Sequence, residues 1–520
     1  MNDITPIQQL PAHDTFDGSE RLPLGIGAQG IGQADLAALR AWLREGIADG
    51  QDGADGASLL HGTGAPAGAL GRDGDFYFDK AAATIYGPKL AGAWPAGSAI
   101  RGETDLVTRR ATLDAIIASV SRNVRQSLPP LTDKVVDVGA LTDAHGIANA
   151  RIYAFPATDA EALEKSPVQL IGAEYTLSAG FNGNIAPFSG YRGNGINPLA
   201  NPNLVPAGRF LFATDAPVLA IKARCLQGIR LLADREYLTP SARMNWQLEG
   251  TNNGQGKYLP VAWGGSTLAA PQAADAETRI YEVEVIETGL IEIVVPAGYT
   301  IWPGPIPSIR IGWLGDSMVN TISDATNHAL ALQSYGMLAR QLFTGLDCRS
   351  YAIGGTGYVS DGGGTASTIE EAFFANPKVA ECDALWMCGG KNDNAPITVD
   401  QIVAAVRRIV EAYFEIKPHG IVFLAGCYHS NSLDAAGKAP INAGLRALAQ
   451  EDYLRDRVEF VETSGWVVGT GKVNAQTGDG NADRIRGVDG THYSVYGQQH
   501  VPHREATEML AAARRLRSRL

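Results

Sequence analysis

The spacing of apolar residues divides the chain into stretches of different period. Over 33–48, Leu36, Leu39, Leu43 and Ile47 recur at helical spacing. A second stripe over 104–126 carries Leu106, Leu113, Ile116, Ile117, Val120 and Val124, and each stripe predicts a helix. From 133 to 307 the pattern becomes short alternating runs, at 209–214, 218–224, 281–286 and 290–295, parted by Asn/Gly clusters at 182–184 and 252–254. That pattern predicts a β-sandwich. Three prolines between Trp302 and Ser308 mark a boundary. Beyond it, apolar strands at 309–314, 384–387, 421–424 and 458–461 alternate with helical stretches at 328–344, 399–415, 442–454 and 495–520. Alternation of this kind predicts a mostly parallel sheet with helices on both faces, three layers α/β/α. The expected organisation is therefore multidomain, with boundaries at 1–132, 133–307 and 308–520.

Glycine changes the picture of the first third. Of 60 glycines in 520 residues, Gly50, Gly53, Gly56, Gly62, Gly68, Gly71 and Gly74 keep a period of three, broken at Leu59 and Ala65. A collagen-like triple helix demands that period, because only glycine fits where three chains meet; a flexible Gly/Ala/Asp linker is the other reading of 50–74. The following segment, Gly71-Arg-Asp-Gly-Asp-Phe-Tyr-Phe-Asp with Thr84-Ile-Tyr-Gly-Pro-Lys and Gly92-Ala-Trp94, reads as two short aromatic strands joined by a turn. It resembles the segment that follows glycine triplets in bacteriophage and prophage tail fibres. The resemblance implies a fibre-like, homotrimeric amino-terminal region that attaches to other tail or baseplate proteins.

Charge and cysteine narrow the classes. A net charge of −12 disfavours a phosphate-backbone binder, so no nucleic-acid partner is expected. No stretch of about 18 apolar residues predicts a transmembrane helix. The first ten residues lack the basic start and apolar run of a secretory signal, so a soluble protein made in a reducing cytosol is expected. Cys348, Cys382, Cys388 and Cys427 show no metal-ligand spacing and are expected to be free, buried thiols.

Candidate chemistry lies at the strand ends of the last third. The strand at 309–314 runs into Gly315-Asp316-Ser317, and a serine at such a turn needs a base to take its proton. His492 is the candidate, and Asp489, three residues earlier, can hold its Nδ1 proton so that Nε2 faces the serine. Oxyanion donors are available from the Ser317 amide, from the glycines of Gly354-Gly355-Thr356-Gly357 and from the Asn392 amide in Gly390-Lys391-Asn392-Asp393. Four such blocks in this order resemble the SGNH, or GDSL-type, hydrolases. The resemblance covers about 309–520 and implies a flavodoxin-like sheet, with Ser317 as nucleophile, His492 as base and Asp489 as its orienting acid. It also implies an oxyanion hole from Ser317, Asn392 and either Gly355 or Gly357, with Asp316 and Asp393 as structural support and no metal or cofactor. Ala352 stands where the family's second block has Asn, which leaves the choice of glycine open.

A sandwich before such a domain resembles two-domain carbohydrate esterases. The combined expectation is a virion tail fibre or tailspike that deacetylates a bacterial surface polysaccharide. A non-enzymatic glycan-binding fibre and a cellular GDSL lipase with an unrelated extension are the alternatives. Tyr191, Trp246 and Trp263 are candidate sugar contacts of the sandwich, and Tyr358, Tyr428, His429 and Tyr493 are candidate pocket residues. His328, His419, His429, His500 and His503 otherwise read as surface or loop histidines.

Overall fold

The computed structural model describes residues 21–24, 32–35, 57–81, 84–99, 103–123, 136–138, 142–155, 166–177, 185–188, 207–238, 256–320, 336–362 and 367–520. The chain divides into two compact units, Met1–Val107 and Thr108–Leu520.

In the first unit, Phe76–Asp79 pairs antiparallel with Thr84–Tyr86, as the aromatic pattern predicts, and parallel with Leu59–Gly62. From residue 57 onward the glycine run supplies the strand Leu59–Gly62 of this small sheet and then turns, and is not triple-helical. Gly64, Gly71 and Gly74 have φ of +83°, +69° and +94°, whereas every collagen residue needs φ near −75°. Lys89 fixes the turn by donating from Nζ to the carbonyls of Gly68, Leu70 and Gly71 at 2.7, 2.9 and 2.9 Å. Residues 50–56 lie outside the described residues. So do 36–48 of the first expected helix, whose start is instead a strand, Gly32–Asp35, paired with Arg21–Leu24.

The helix Glu103–Asn123 forms as its stripe predicts. Its Leu113, Ile116 and Val120 are fully buried in one core with Trp313, Trp386 and Met509, and Asp114 pairs with Arg517 at 2.9 Å. Most of the helix thus packs within the carboxyl-terminal layers, on the other side of the boundary expected at 132.

The middle region is antiparallel and β-rich, but it forms one hydrogen-bonded sheet of eleven strands where two packed sheets are expected. Its spine is the pair Val218–Ala233 and Arg279–Pro296. The second of these absorbs both runs expected at 281–286 and 290–295, with Gly289 paired to Arg224 inside the ladder. Leu219, Ile221, Ala223, Ile229, Leu231 and Ala233, all of one parity, enter a single core with Phe210, Phe212, Tyr281 and Val283. Trp263 belongs to this core: its Nε1 donates to Tyr281 Oη at 2.7 Å and Arg279 covers its ring at 4.0 Å. Trp263 is therefore filler, not a sugar contact; Tyr191 and Trp246 lie outside the described residues.

The last region is a five-stranded parallel sheet in the order Asp347–Ser350, Arg310–Gly315, Ala384–Cys388, Ile421–Ala425, Val458–Val461. Numbered along the chain this is 2-1-3-4-5, the flavodoxin-like order. Alternate residues feed opposite faces. Trp313, Trp386 and Phe423 pack under Gly336–Thr344 and Val495–Arg519, while Leu314, Leu385, Met387, Val422 and Leu424 pack under Val399–Ile416 and Ser432–Ala449. The last of these helices starts ten residues before the expected 442, because Gly437 and Pro440 interrupt its helical pattern without ending it. A capping box from Thr398 and Gln401 starts Val399–Ile416, and Ser494 caps Val495–Arg519 by accepting from Gly497 N. The antiparallel and parallel sheets are joined by Gly172 N donating to Asp347 Oδ1 at 2.8 Å. A Cβ at Gly172 would fall 1.7 Å from Gln341 Nε2.

Candidate active site

In a 2-1-3-4-5 sheet the crevice lies beyond the carboxyl ends of the first and third strands, where the chain reverses its direction of winding. Ser317 opens the short helix Ser317–Asn320 just past the first strand, and Asn392 follows the third. The candidate base arrives from far along the chain. His492 Nε2 stands 2.7 Å from Ser317 Oγ, and His492 Nδ1 stands 2.6 Å from Asp489 Oδ2. An ionised Asp489 accepts the Nδ1 proton, which leaves Nε2 as the acceptor facing the serine hydroxyl.

The loop that carries both residues is tightly closed. Gly487 N donates to His492 O at 2.8 Å and Ser494 N to Ile485 O at 2.7 Å. Asp489 Oδ1 accepts from Thr491 N and His492 N at 2.9 and 3.1 Å, so one carboxylate oxygen shapes the turn while the other orients the ring. Partial burial opposes ionisation of Asp489. The N–H of Thr491, the His492 ring and the His492 N–H together outweigh it and hold the carboxyl below its ordinary value.

Asp316 and Asp393 act as braces. Asp393 accepts from Tyr358 N, Val359 N and Ser360 N at 2.7, 3.0 and 2.8 Å. Gly357 is required beside it, since a Cβ there would lie 2.2 Å from Asp393 Oδ1. Asp316 is fully buried; it accepts from Met318 N at 2.8 Å, and its other oxygen faces Asn392 Nδ2 at 3.4 Å. Burial pushes its carboxyl up to about 6, against the pull of the Met318 N–H and of Lys391 and His492.

The two candidate glycines are separated by their hydrogen bonds. Gly357 N already donates to Ser360 O at 2.8 Å within a buried turn, which removes it from the oxyanion donors. Gly355 is exposed, has φ +83° and has open space where a Cβ would stand. Asn392 Nδ2 donates to Thr356 O at 2.8 Å; its second N–H meets only the long Asp316 contact.

Several neighbours carry no local sequence signal. Lys391 pairs with Asp434, and Lys438, buried, donates from Nζ to Asp393 O and Asn394 Oδ1 at 3.0 Å each, so the Asn392 loop is fastened to helix Ser432–Ala449. Beneath Ser317, Arg340 donates to Val319 O at 3.0 Å and forms a fully buried pair with Glu505, which also accepts from Tyr428 Oη. These partners lie 21 to 165 positions apart, beyond any local periodicity. Tyr358, Tyr428, His429 and Tyr493 are all buried, so His429 is not the surface histidine its sequence context suggests.

Fold and site define an α/β/α protein with a Ser–His–Asp constellation at the switch point of its parallel sheet. No known family profile matches the chain, and no curated protein does. Solved structures do. The chain is similar to a family two carbohydrate esterase from Cellvibrio japonicus at 13% identity, over 71% of this chain and 99% of that one, with a TM-score of 0.44. It is similar to the salicylyl-acyltransferase SsfX3 from a tetracycline biosynthetic pathway at 16% identity, over 70% and 97%, with a TM-score of 0.45. A family two carbohydrate esterase from Clostridium thermocellum, solved in complex with cellohexaose, matches at 14% identity over 63% and 97%, with a TM-score of 0.40.

Proposed function

We propose that this protein is a serine esterase that removes acetyl groups from a polysaccharide. The observation that carries the reading is the continuous line from Asp489 through His492 to Ser317 Oγ, at 2.6 and 2.7 Å. Ser317 Oγ attacks the acetyl carbonyl carbon while His492 Nε2 takes its proton, and the carbonyl oxygen becomes an oxyanion. The Ser317 and Gly355 N–H groups and the second Asn392 N–H receive that charge. The imidazolium then protonates the departing sugar oxygen as the C–O bond breaks, leaving acetyl on Ser317. Water, deprotonated by the same histidine, attacks the acyl carbon and releases acetate. The test compares acetate release from acetylated bacterial polysaccharide by the wild type and Ser317→Ala. Release by the wild type alone supports the reading; equal release, or none by either, overturns it.

The finer proposal places this esterase on a phage tail, as a homotrimeric receptor-binding fibre or tailspike acting on a host surface polysaccharide. Its support is the 71–94 segment, whose pattern resembles that of tail fibres and whose strands Phe76–Asp79 and Thr84–Tyr86 pair. With the glycine run from 57 onward folded into turns, trimer contacts are assigned to other surfaces. Mass photometry of the full chain distinguishes a trimer from a monomer, and a monomer at micromolar concentration overturns the fibre.

A further inference from the structure

Beside the loop that carries Asp489 and His492 is an open depression of about 500 Å³. That volume lies within the range of small-ligand sites, roughly 300–1,000 Å³. Its apolar lining comes from three separate segments, and each segment contributes an exposed side chain, Val473 at 42%, Val488 at 40% and Tyr496 at 48%, with Val495 half-buried beside them. Solvent-facing apolar side chains converging on one concavity mark a binding surface more than a scatter of single ones does. The remaining lining includes Gln476, Gln499 and Arg484, whose amides and guanidinium offer hydrogen bonds in several directions.

The wall is built, and it is continuous with the catalytic loop. Val488 directly precedes Asp489, and Lys472 Nζ donates to its carbonyl at 2.8 Å. Val473 N donates to Arg486 O at 3.0 Å, tying the 472–476 segment to the base of the same loop. Tyr496 is the second residue of the capped helix Val495–Arg519, which follows the His492 loop directly. Its ring is stacked on His500, centroids 5.8 Å apart and planes 20° from parallel.

We propose that this depression is a sugar subsite of the esterase, in which Tyr496 is the platform for the face of a pyranose ring. Val473 and Val488 cover the ring's C–H edges, and Gln476, Gln499 and Arg484 take its hydroxyls. The proposal rests on the esterase reading above and assigns its substrate contacts on the Asp489 side of the site. A pyranose suits this lining because it presents an apolar face and a rim of hydroxyls, matching an aromatic floor with a polar border.

Calorimetric titration of the full chain carrying Ser317→Ala, with cellohexaose, xylohexaose and oligosaccharides cut from the acetylated bacterial polysaccharide of the activity test as probes, tests it. At least one probe is expected to bind. Adding Tyr496→Ala is expected to weaken that binding about tenfold, the usual consequence of removing one aromatic anchor. Tyr496→Trp is expected to retain it, and Ile416→Ala, at an exposed site on the Val399–Ile416 helix, to leave it unchanged. Failure of all three probes to bind, or equal affinity with and without Tyr496, overturns the subsite. So does a Tyr496→Ala variant with unaltered sugar affinity but a changed preference between p-nitrophenyl acetate and hexanoate, which assigns the depression to the acyl chain. Wild-type hydrolysis of p-nitrophenyl acetate reports separately on the esterase reading, so the two failures are distinguishable.

Discussion

His492 Nε2 and Ser317 Oγ stand 2.7 Å apart although 175 positions separate them in the chain. Ser317 has no other basis for reactivity: a serine hydroxyl is a weak nucleophile until a base stands at hydrogen-bond distance. Ser317→Ala and His492→Ala are each expected to lower kcat by about 10⁴-fold or more, and the double variant by little more than either alone, because the two act as a unit. Steady-state kinetics on p-nitrophenyl acetate measures this; additive losses would count against a shared proton transfer.

Asn392→Ala is expected to lower kcat on the order of 10²–10³-fold with a small change in KM, as for the loss of one oxyanion donor. Gly357→Ala acts differently. Its Cβ would meet the Asp393 carboxylate, so the loss appears first as a lower melting temperature. A Gly357 variant with unchanged stability and selectively lost kcat would reinstate that glycine as the donor.

Glu505→Ala strands the fully buried Arg340 guanidinium without its carboxylate. Breaking such a pair typically costs about 3–5 kcal/mol. Urea unfolding of the variant is expected to show that loss, together with reduced kcat from loosening of Val319, whose carbonyl Arg340 holds two residues past the nucleophile. A variant as stable as the wild type would contradict the pairing.

The Asp316 carboxyl has a definite pH consequence. Its value in the fold is raised, from 3.8 to about 6, so the folded state favours the protonated form. The stability this contributes is fully present below about 3.8 and is lost as pH rises through about 6. Two units correspond to about 3 kcal/mol as an order of magnitude. In Asp316→Asn that slope between pH 4 and 6 is expected to vanish; calorimetric melting temperatures across the window measure it, and an unchanged slope would reject the assignment.

The parallel sheet was legible in sequence because its central strands are buried on both faces and read as unbroken apolar runs, as in Ala384-Leu-Trp-Met-Cys388 and Ile421-Val-Phe-Leu-Ala425, whereas the edge strand Asp347–Ser350 carries no such run. The triad was legible because Gly-Asp-Ser and Asp-x-x-His are short and local. What escaped was set by distant contacts. Gly71 and Gly74 keep a collagen period, yet Lys89, eighteen residues after Gly71, draws the run into a turn. Pro440 sits inside a helix that tolerates it, because its Ile441, Leu445 and Leu448 are buried against the sheet. Gly355 and Gly357 differ in exposure and in the bond from Gly357 N to Ser360 O, neither of which any spacing encodes.

The four described cysteines have a use beyond filling space. Cys348 and Cys388 lie in the core on one side of the parallel sheet, Cys382 and Cys427 in the core on the other. Burial pushes all four thiols up, those of Cys382 and Cys427 to about 12, so none reacts with an alkylating reagent while its layer is closed. The native chain thus carries a built-in stopwatch for its own opening. Pulse alkylation followed by peptide mass analysis times each face of the sheet separately and reveals which helical layer lets go first, without any introduced label.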